Sequence, residues 1–176
     1  MKQHVNGYVG NRVLKLNVGF LLAGGPGHSH ETVFDVPAIR VSDDVDLEYI
    51  RGPLRLSRTK EGILVQGTLH VGVDDECYRC LDPIERDVIV DVEELFAYPP
   101  SLVVEFSLTD DGVLDLAPLV REETLIATST GTLCKPDCQG LCPDCGANWN
   151  HTRCDCQHEK IDPRLATLKA LLDAKK

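Results

Sequence analysis

The chain has 176 residues, of which 43% are hydrophobic and 26% charged, and its formal net charge is −10. This length suits one ordinary hydrophobic core or a modest core with a small appended module, and the composition excludes a disordered or fibrous protein. No apolar run reaches the roughly 20 residues that a membrane helix requires, and the short apolar run at residues 20–23 lacks a signal-peptide cleavage pattern. We therefore expect a globular cytoplasmic protein.

The negative charge is concentrated in the middle of the sequence. Residues 73–133 contain 3 basic and 15 acidic side chains, whereas residues 1–72 contain 8 and 7, and residues 134–176 contain 7 and 6. Phosphate contacts require clustered Lys and Arg. The charge therefore argues against nucleic acid binding by the middle of the chain, while both ends are close to neutral.

Most of the chain before residue 110 predicts antiparallel β-structure. Residues 11–22 carry apolar side chains at alternate positions, namely Leu14, Leu16, Val18 and Phe20. This alternation predicts a strand. The glycine-rich segment at 23–30 predicts a loop, and it lacks the Lys-Ser/Thr ending of a phosphate-binding loop. Further strands are predicted at 33–41, 47–58, 63–73, 84–92 and 102–108, with a hairpin turn at 59–62.

The predicted strand at 84–92 has an acidic outward face. Its outward side chains are Glu85, Asp87, Asp91 and Glu93. Two interpretations stay open at this point. The acids either keep a sheet edge soluble and unpaired, or they form a docking surface for a basic partner.

Two helices are predicted after the strands. Asp115 is placed to cap a helix at 116–127, with Pro118 in its first turn. Asp162 and Pro163 have the N-cap and first-turn signature of a final helix, which carries an apolar leucine stripe. We expect the first helix to pack across the sheet. The final helix would either pack on the core, which we favour, or present its leucine stripe to a partner.

Eight cysteines occur as four closely spaced pairs. The pairs are Cys77 and Cys80, Cys134 and Cys138, Cys142 and Cys145, and Cys154 and Cys156. Eight thiolates are the ligand count of two tetrahedral all-cysteine zinc sites. In a reducing compartment this spacing indicates metal binding rather than disulfides. His151 and His158 flank the last pair and are alternative ligands for one of its sulfurs.

The linker between Cys138 and Cys142 is only three residues long, which favours placing these two pairs on different ions. We therefore group the first pair with the second, and the third with the fourth. The first site would join a small module to the β domain, and the second would hold together a module with too few apolar residues for a core. The predicted class is α+β: a mainly antiparallel sheet or partial barrel with a packed helix (1–130), and a cysteine-rich zinc module with a C-terminal helix (131–176).

Catalytic interpretations are weaker than structural ones. All-cysteine zinc sites are closed and structural, whereas catalytic sites keep an open position. Neither Cys-x2-Cys pair leads into a helix whose N-terminus would lower a thiolate pKa, and no Ser-His-Asp setting or pair of catalytic carboxylates is present. We predict that the protein is not an enzyme. A thiol-based redox-responsive protein is an alternative.

Several motifs occur together along the chain. They are Cys77-Tyr-Arg-Cys80-Leu81, Glu94-Leu-Phe96, the run from Cys134 to Gly146 with Asn148 and Asn150, and Asp162-Pro-Arg-Leu-Ala166. In this combination the sequence resembles the bacterial YceD family, also described as large ribosomal RNA subunit accumulation proteins. The resemblance covers most of the chain and implies a non-enzymatic role in accumulation or processing of large-subunit (23S) ribosomal RNA during ribosome assembly. Trp149 stands where similar sequences tend to carry leucine.

Two partners are compatible with that role. In the first hypothesis the zinc module contacts RNA through basic residues and a stacking tryptophan, namely Lys135, Trp149, Arg153, Lys160 and Arg164. In the second, the acidic sheet docks a basic ribosomal protein without touching RNA, through Asp87, Asp91, Glu93 and Glu94. Neither hypothesis involves a membrane or a small-molecule substrate.

Overall fold

The chain divides into two units that interrupt each other in sequence. The computed structural model describes residues 9–100, 105–156, 163–165, 168, 170 and 171. Unit 1 comprises Met1–Glu76 and Pro83–Thr132, and unit 2 comprises Cys77–Asp82 and Leu133–Lys176. The chain therefore leaves unit 1 at the end of one strand, returns at the start of the next, and leaves again after Thr132. The predicted division into a β-rich domain (1–130) and a cysteine-rich module (131–176) stays a prediction.

The main element of unit 1 is an open five-stranded sheet. The strands of the chain are β1 (Val9–Gly10), β2 (Lys15–Asn17), β3 (Ser29–Arg40), β4 (Asp46–Arg58), β5 (Gly62–Glu76), β6 (Pro83–Ala97) and β7 (Val113–Asp115). The large sheet has the order β1-β3-β4-β5-β6, and β2 pairs with β7 in a separate two-stranded sheet. The pairings from β3 to β6 are antiparallel, whereas β1 runs parallel to β3. No pairing among the described strands closes the sheet into a barrel.

Alternating burial explains why β5 is a strand and how it meets the core. Its buried side chains are Ile63, Val65, Leu69, Val71 and Val73, and the intervening Thr68 and His70 are exposed. This period of two puts one face of the sheet against an aliphatic core. Helix α2 (Ala117–Thr128) adds Ala117, Leu119 and Val120 to the same core. The predicted α+β class with a mostly antiparallel sheet and a packed helix is confirmed.

Residues 11–22 do not form the predicted long strand. They fold as a 3-10 helix (Asn11–Leu14), strand β2 and the start of helix α1 (Gly19–Gly24). Leu14, Val18 and Leu21 are buried, whereas Phe20 is 55% exposed. Only Lys15–Asn17 form a strand, and helix α1 begins directly after Val18, so Phe20 does not continue the alternation. The apparent alternation was wrong because it counted an exposed phenylalanine as a core residue.

The helix predicted at 116–127 is present as α2. The Asp115 carboxylate accepts a 3.0 Å hydrogen bond from the backbone N–H of Ala117, although Leu116 occupies the cap position itself. The predicted strand at 102–108 falls partly on residues 101–104, outside the described part, and Ser107 forms an isolated bridge with Ala97. The predicted C-terminal helix also lies mainly outside the described residues. The described part of this segment includes a 3-10 helix at Pro163–Leu165. No helix in the described part of the chain combines the length and hydrophobicity needed to cross a membrane.

Gly62 begins β5 where two strand backbones approach closely. A Cβ at this position would lie 2.0 Å from the carbonyl oxygen of Phe96. We expect Gly62→Ala to force the backbones apart and to lower the free energy of unfolding by roughly 1–3 kcal/mol, measured by urea unfolding. Gly10→Ala is the control, because nothing lies within 4 Å of a Cβ there. Equal unfolding midpoints for the two variants would contradict the proposed crowding.

Candidate metal centres

Unit 2 is built around sulfur rather than aliphatic side chains. Its buried residues in the described part of the chain are Cys77, Cys80, Cys138, Gly140 and Cys142. No leucine, isoleucine, valine or aromatic side chain among the described residues of this unit is buried. Cysteine sulfurs therefore occupy the positions that apolar side chains fill in an ordinary core.

The eight sulfurs form two groups of four. The first group contains Cys77, Cys80, Cys134 and Cys138, and the second contains Cys142, Cys145, Cys154 and Cys156. Within each group the sulfurs lie within 4.8 Å of one another. This is the grouping preferred from the length of the linker between Cys138 and Cys142. The first group joins cysteines that are 54 and 61 positions apart in sequence.

The sulfur spacing fits a tetrahedral metal ion. Metal–sulfur bonds of about 2.3 Å separate tetrahedral ligands by about 3.8 Å, and the Sγ atoms lie 3.7 Å apart in Cys77 and Cys138 and 3.5 Å apart in Cys80 and Cys134. A disulfide requires about 2.05 Å, and all eight cysteines are free. Each cluster could therefore hold a metal ion, and four thiolates favour a soft ion such as zinc.

The two Cys-x2-Cys turns share one backbone geometry. In each turn the amide of the fifth residue donates to the carbonyl of the first cysteine, and the amide of that cysteine donates to the carbonyl of the sixth residue. The four bonds are Leu81 to Cys77 (2.7 Å), Cys77 to Asp82 (2.8 Å), Gly146 to Cys142 (2.9 Å) and Cys142 to Ala147 (2.8 Å). In the second turn the amide of Cys145 also donates to the Cys142 sulfur at 3.4 Å. These turns hold both cysteines of a pair on one side of the chain.

The fifth residue of each turn adopts a left-handed backbone conformation. Gly146 has φ +72 and Leu81 has φ +59. Glycine adopts this region without steric cost, whereas an L side chain is disfavoured there. Leu81 is the only non-glycine residue with positive φ in the described chain. The first turn therefore carries local strain that closure of the cysteine cluster must offset.

Side chains outside the clusters donate hydrogen bonds to the sulfurs. The Asn150 amide lies 3.3 Å from the Cys138 sulfur, and its oxygen accepts a bond from the backbone N–H of Gln139. The Trp149 indole N–H donates to the Cys154 sulfur at 3.4 Å. Such donors offset negative charge on thiolates and fix their orientation. The two neighbouring residues thus serve different clusters.

An aspartate that the sequence analysis did not select links the first turn to the later segment of unit 2. Asp82 lies 3.3 Å from the Cys80 sulfur, 2.9 Å from the Asn148 amide and 3.1 Å from the His151 ring. Its hydrogen bond with Cys80, followed by those with Asn148 and His151, lowers the pKa of Asp82. His151, considered as an alternative ligand, therefore faces a carboxylate, and His158 lies outside the described residues. Asp82 lies five positions after Cys77, and only this spacing could have suggested its role.

Thiol pKa values differ within the first cluster. Burial opposes ionisation of Cys77, but backbone N–H groups of Cys134, Arg79 and Cys80 outweigh it and lower the pKa to about 6. Burial raises the pKa of Cys80, whereas the Asn150 amide lowers the pKa of Cys138. Sulfurs this close cannot all ionise without a cation to offset their repulsion. The donor set is therefore suited to a cation and unsuited to four free thiolates.

Two of the predicted RNA-contacting residues share one surface. Trp149 is half-buried, Arg153 is exposed, and both line an open pocket of about 290 Å³ together with Gln139 and Cys154. Lys135 and Arg164 are exposed but do not line this pocket in the described part of the chain. Lys160 lies outside the described residues. The structure therefore brings together one aromatic and one basic residue of the predicted set.

Acidic residues predicted on the outward face of the sheet accept hydrogen bonds from side chains of strands β4 and β5. The side-chain pairs are Tyr49 with Asp87, His70 with Asp87, Thr68 with Asp91, and Gln66 with Glu93. Glu94 instead accepts a bond from the backbone N–H of Leu95. The bond from Tyr49, followed by that from His70, lowers the pKa of Asp87. These acids therefore contribute to cross-strand pairing within unit 1, and partner docking by them stays a prediction.

Comparison with known proteins assigns a family. The family described as large ribosomal RNA subunit accumulation protein YceD matches residues 65–172. An uncharacterized protein of Mycobacterium tuberculosis is 38% identical over 129 residues, covering 68% of this chain and 60% of the relative. The uncharacterized protein YlbN of Bacillus subtilis is 27% identical over 100 residues, covering 54% of this chain and 58% of the relative.

A plant protein also matches. The large ribosomal RNA subunit accumulation protein YCED homolog 1, chloroplastic, of Arabidopsis thaliana is 28% identical over 76 residues, covering 43% of this chain and 21% of the relative. The chain spans about 60% of the length of the mycobacterial relatives that it matches. No solved structure matches the chain significantly.

Fold and site together define a protein with an antiparallel sheet unit and a second unit organised by two four-cysteine clusters. The match at residues 65–172 includes all eight cysteines. The chain belongs to the YceD family.

We expect the purified chain to bind two zinc ions, which native mass spectrometry counts directly. Cys80→Ser and Cys145→Ser each remove one ligand from a different cluster, so each variant should retain one ion. A cluster with three cysteines should bind zinc far more weakly, because one of its four metal–sulfur bonds is lost. Loss of both ions in either variant would contradict the division into two separate clusters.

Trp149 is the only tryptophan in the chain and should report on the second cluster. Removing zinc with a chelator should change its fluorescence emission, because the Cys154 sulfur that accepts the indole hydrogen bond would change its charge and position. The same change is expected in Cys80→Ser, whose second cluster is intact. Cys145→Ser should show no further change on chelation. An equal response in both variants would refute this local coupling.

Proposed function

We propose that this protein is a non-enzymatic, zinc-containing ribosome-assembly factor that acts in the cytoplasm. Its role is to support the accumulation or processing of 23S ribosomal RNA of the large subunit. The observation that carries the proposal is the family match over residues 65–172, which includes most of strand β5, all of strand β6 and both cysteine clusters. The plant relative is described as a large ribosomal RNA subunit accumulation protein, which supports the same role.

The proposed zinc ions have a structural role. Cys77, Cys80, Cys134 and Cys138 would hold one ion, and Cys142, Cys145, Cys154 and Cys156 the other. Four cysteine ligands complete a tetrahedral shell and leave no position for a reactive water. Zinc bound in this way supplies folding free energy, because the unfolded chain does not present the four sulfurs together. This supports a binding protein rather than a hydrolase.

The proposed RNA contact lies in unit 2. Trp149 and Arg153 line the same pocket, which would let a base stack on the indole while the guanidinium meets a phosphate. Lys135, Lys160 and Arg164 would add further phosphate contacts. Residues 134–176 contain 7 basic and 6 acidic side chains, against 3 and 15 in residues 73–133. Repulsion of phosphate by the acidic middle segment favours contact through unit 2.

Filter binding of the purified chain to fragments of 23S ribosomal RNA over a salt series tests this contact. Binding should weaken as salt rises, because phosphate contacts release counterions. Arg153→Ala should weaken binding and reduce the slope of log affinity against log salt by about one. Lys60→Ala, in the exposed turn between β4 and β5, removes one charge from unit 1 and should leave the slope unchanged.

The cellular role is tested separately by deleting the gene in the organism that encodes it. The ratio of mature 23S to 16S ribosomal RNA should fall, and the wild-type chain supplied in trans should restore it. Cys80→Ser should restore it poorly if zinc supports the active form. An unchanged ratio after deletion would overturn the proposed function, whereas absent binding with a reduced ratio would overturn only the RNA contact.

A further inference from the structure

One loop of unit 2 is closed by the second cysteine cluster and contacts the first. The loop consists of residues 146–153, between Cys145 and Cys154, which both belong to the second cluster. Its ends are therefore held by sulfurs that lie within 4.8 Å of each other. A loop with joined ends has fewer conformations than one with free ends. Closure of the second cluster therefore restricts the loop that contacts the first.

Asn150 of this loop binds a ligand of the first cluster and the backbone beside it. Its side-chain nitrogen Nδ2 donates to the Cys138 sulfur at 3.3 Å. Its side-chain oxygen Oδ1 accepts a 3.0 Å bond from the backbone N–H of Gln139, the residue after Cys138. Hydrogen bonds of this kind orient a metal ligand and offset its negative charge. The position of Asn150 therefore bears directly on the first cluster.

Asn148 of the same loop holds the end of the first Cys-x2-Cys turn. Its side-chain nitrogen donates to the Asp82 carboxylate at 2.9 Å and to the Cys80 carbonyl at 3.5 Å. The Asp82 carbonyl in turn accepts the 2.8 Å bond from the Cys77 amide that closes this turn. The loop thus contacts both sequence segments that supply sulfurs to the first cluster.

The loop also fixes its two asparagines relative to each other. The side-chain oxygen of Asn148 accepts a 3.0 Å bond from the backbone N–H of Asn150. The backbone carbonyl of Asn148 accepts bonds from the amides of His151 and Thr152 at 3.1 and 2.9 Å. A change in the order of the loop therefore affects both asparagines together, and with them both contacts to the first cluster.

We propose that Asn148 and Asn150 couple the two metal sites, so that each site binds zinc more tightly when the other is filled. When the second cluster is filled, the loop already presents both asparagines to the first cluster. When it is empty, the first cluster must order the loop itself to form the same hydrogen bonds. Linkage makes the effect mutual. This coupling rests on the zinc binding of the proposed function.

The expected coupling is about tenfold in zinc affinity. Hydrogen-bonding partners of metal ligands typically contribute about 10–100-fold to metal affinity, and the loop keeps part of its order when one cluster is empty. Structural zinc sites bind tightly enough to stay occupied after a loss of this size. Cys80→Ser and Cys145→Ser should therefore each still retain one ion, but bind it less tightly than the wild-type chain does.

Competition with a zinc chelator measures the coupling on the full chain. Cys145→Ser gives the association constant of the first site alone, and Cys80→Ser gives that of the second. The overall constant for two ions on the wild-type chain should exceed the product of these two constants by about tenfold. A wild-type chain that binds two ions with a ratio of one would overturn the coupling alone. A wild-type chain that binds no zinc would overturn the proposed zinc sites as well.

The same three measurements in an Asn148→Ala/Asn150→Ala background test the two positioning residues. The tenfold ratio should fall to about one there, because the cycle isolates the interaction that these side chains carry. A role limited to stabilising the first site would lower its affinity and leave the ratio unchanged, which would refute the assignment. Thr152→Ala is the matched control, since this exposed residue of the loop bonds through its hydroxyl to the Asn148 carbonyl. Its ratio should stay at about ten.

Hydrogen exchange gives a readout that needs no asparagine variant. The Gln139 amide donates to Asn150, whereas the Leu81 amide donates to Cys77 within the first turn. With the first site filled, the Gln139 amide should exchange about tenfold faster in Cys145→Ser than in the wild-type chain, because the loop has lost its closure. The Leu81 amide should exchange at the same rate in both. Equal rates at Gln139 would show that the second cluster does not order the loop, contrary to the proposal.

Discussion

The mutual repulsion of four closely spaced sulfurs is the constraint on which unit 2 depends. No aliphatic or aromatic side chain is buried among its described residues, so apolar burial of roughly 1.5–3 kcal/mol per side chain is missing there. Structural zinc binding supplies about 10–16 kcal/mol per site in small zinc peptides near neutral pH. One bound zinc ion would therefore replace the free energy of several buried leucines in this unit. Unit 1 needs no such ion, because its sheet and α2 enclose an aliphatic core.

Local patterns predicted much of this architecture. The alternating residues of β5 identified its buried face correctly, because a two-residue period is a property of the strand itself. The grouping of the cysteines was also predicted from a local feature. The three-residue linker between Cys138 and Cys142 favoured assigning the pairs on either side of it to different clusters, and the structure groups the sulfurs in that way. Family resemblance added the expected role but no geometry. The features that could be predicted, such as the buried face of β5 and the cysteine grouping, therefore depend on residues close together in sequence.

Features that depend on distant segments were not predictable in the same way. Acids near residue 45 and acids near residue 75 line one open pocket of unit 1, and only the antiparallel register of β4 with β5 makes them neighbours. The contact of Asp82 with Asn148 crosses 66 positions. The strand predicted at residues 11–22 was wrong for a different reason, because the apolar side chains at alternate positions belong to three short elements, a 3-10 helix, strand β2 and helix α1. Short segments with two compatible periods need tertiary context to choose one.

Cys77–Asp82 of unit 2 connects strands β5 and β6 of unit 1, and this position determines the order in which the ligands of the first cluster are synthesised. The first Cys-x2-Cys turn leaves the ribosome as the tip of the β5–β6 hairpin, 54 residues before Cys134, the next ligand of its cluster. At about 5–20 residues per second this interval lasts several seconds. During this interval the nascent chain contains Cys77 and Cys80 but not yet Cys134 and Cys138, the other two cysteines of their cluster. Translation therefore orders the two sites: the first cannot close until Cys138 has been synthesised, and the second cannot close until Cys156 has been synthesised.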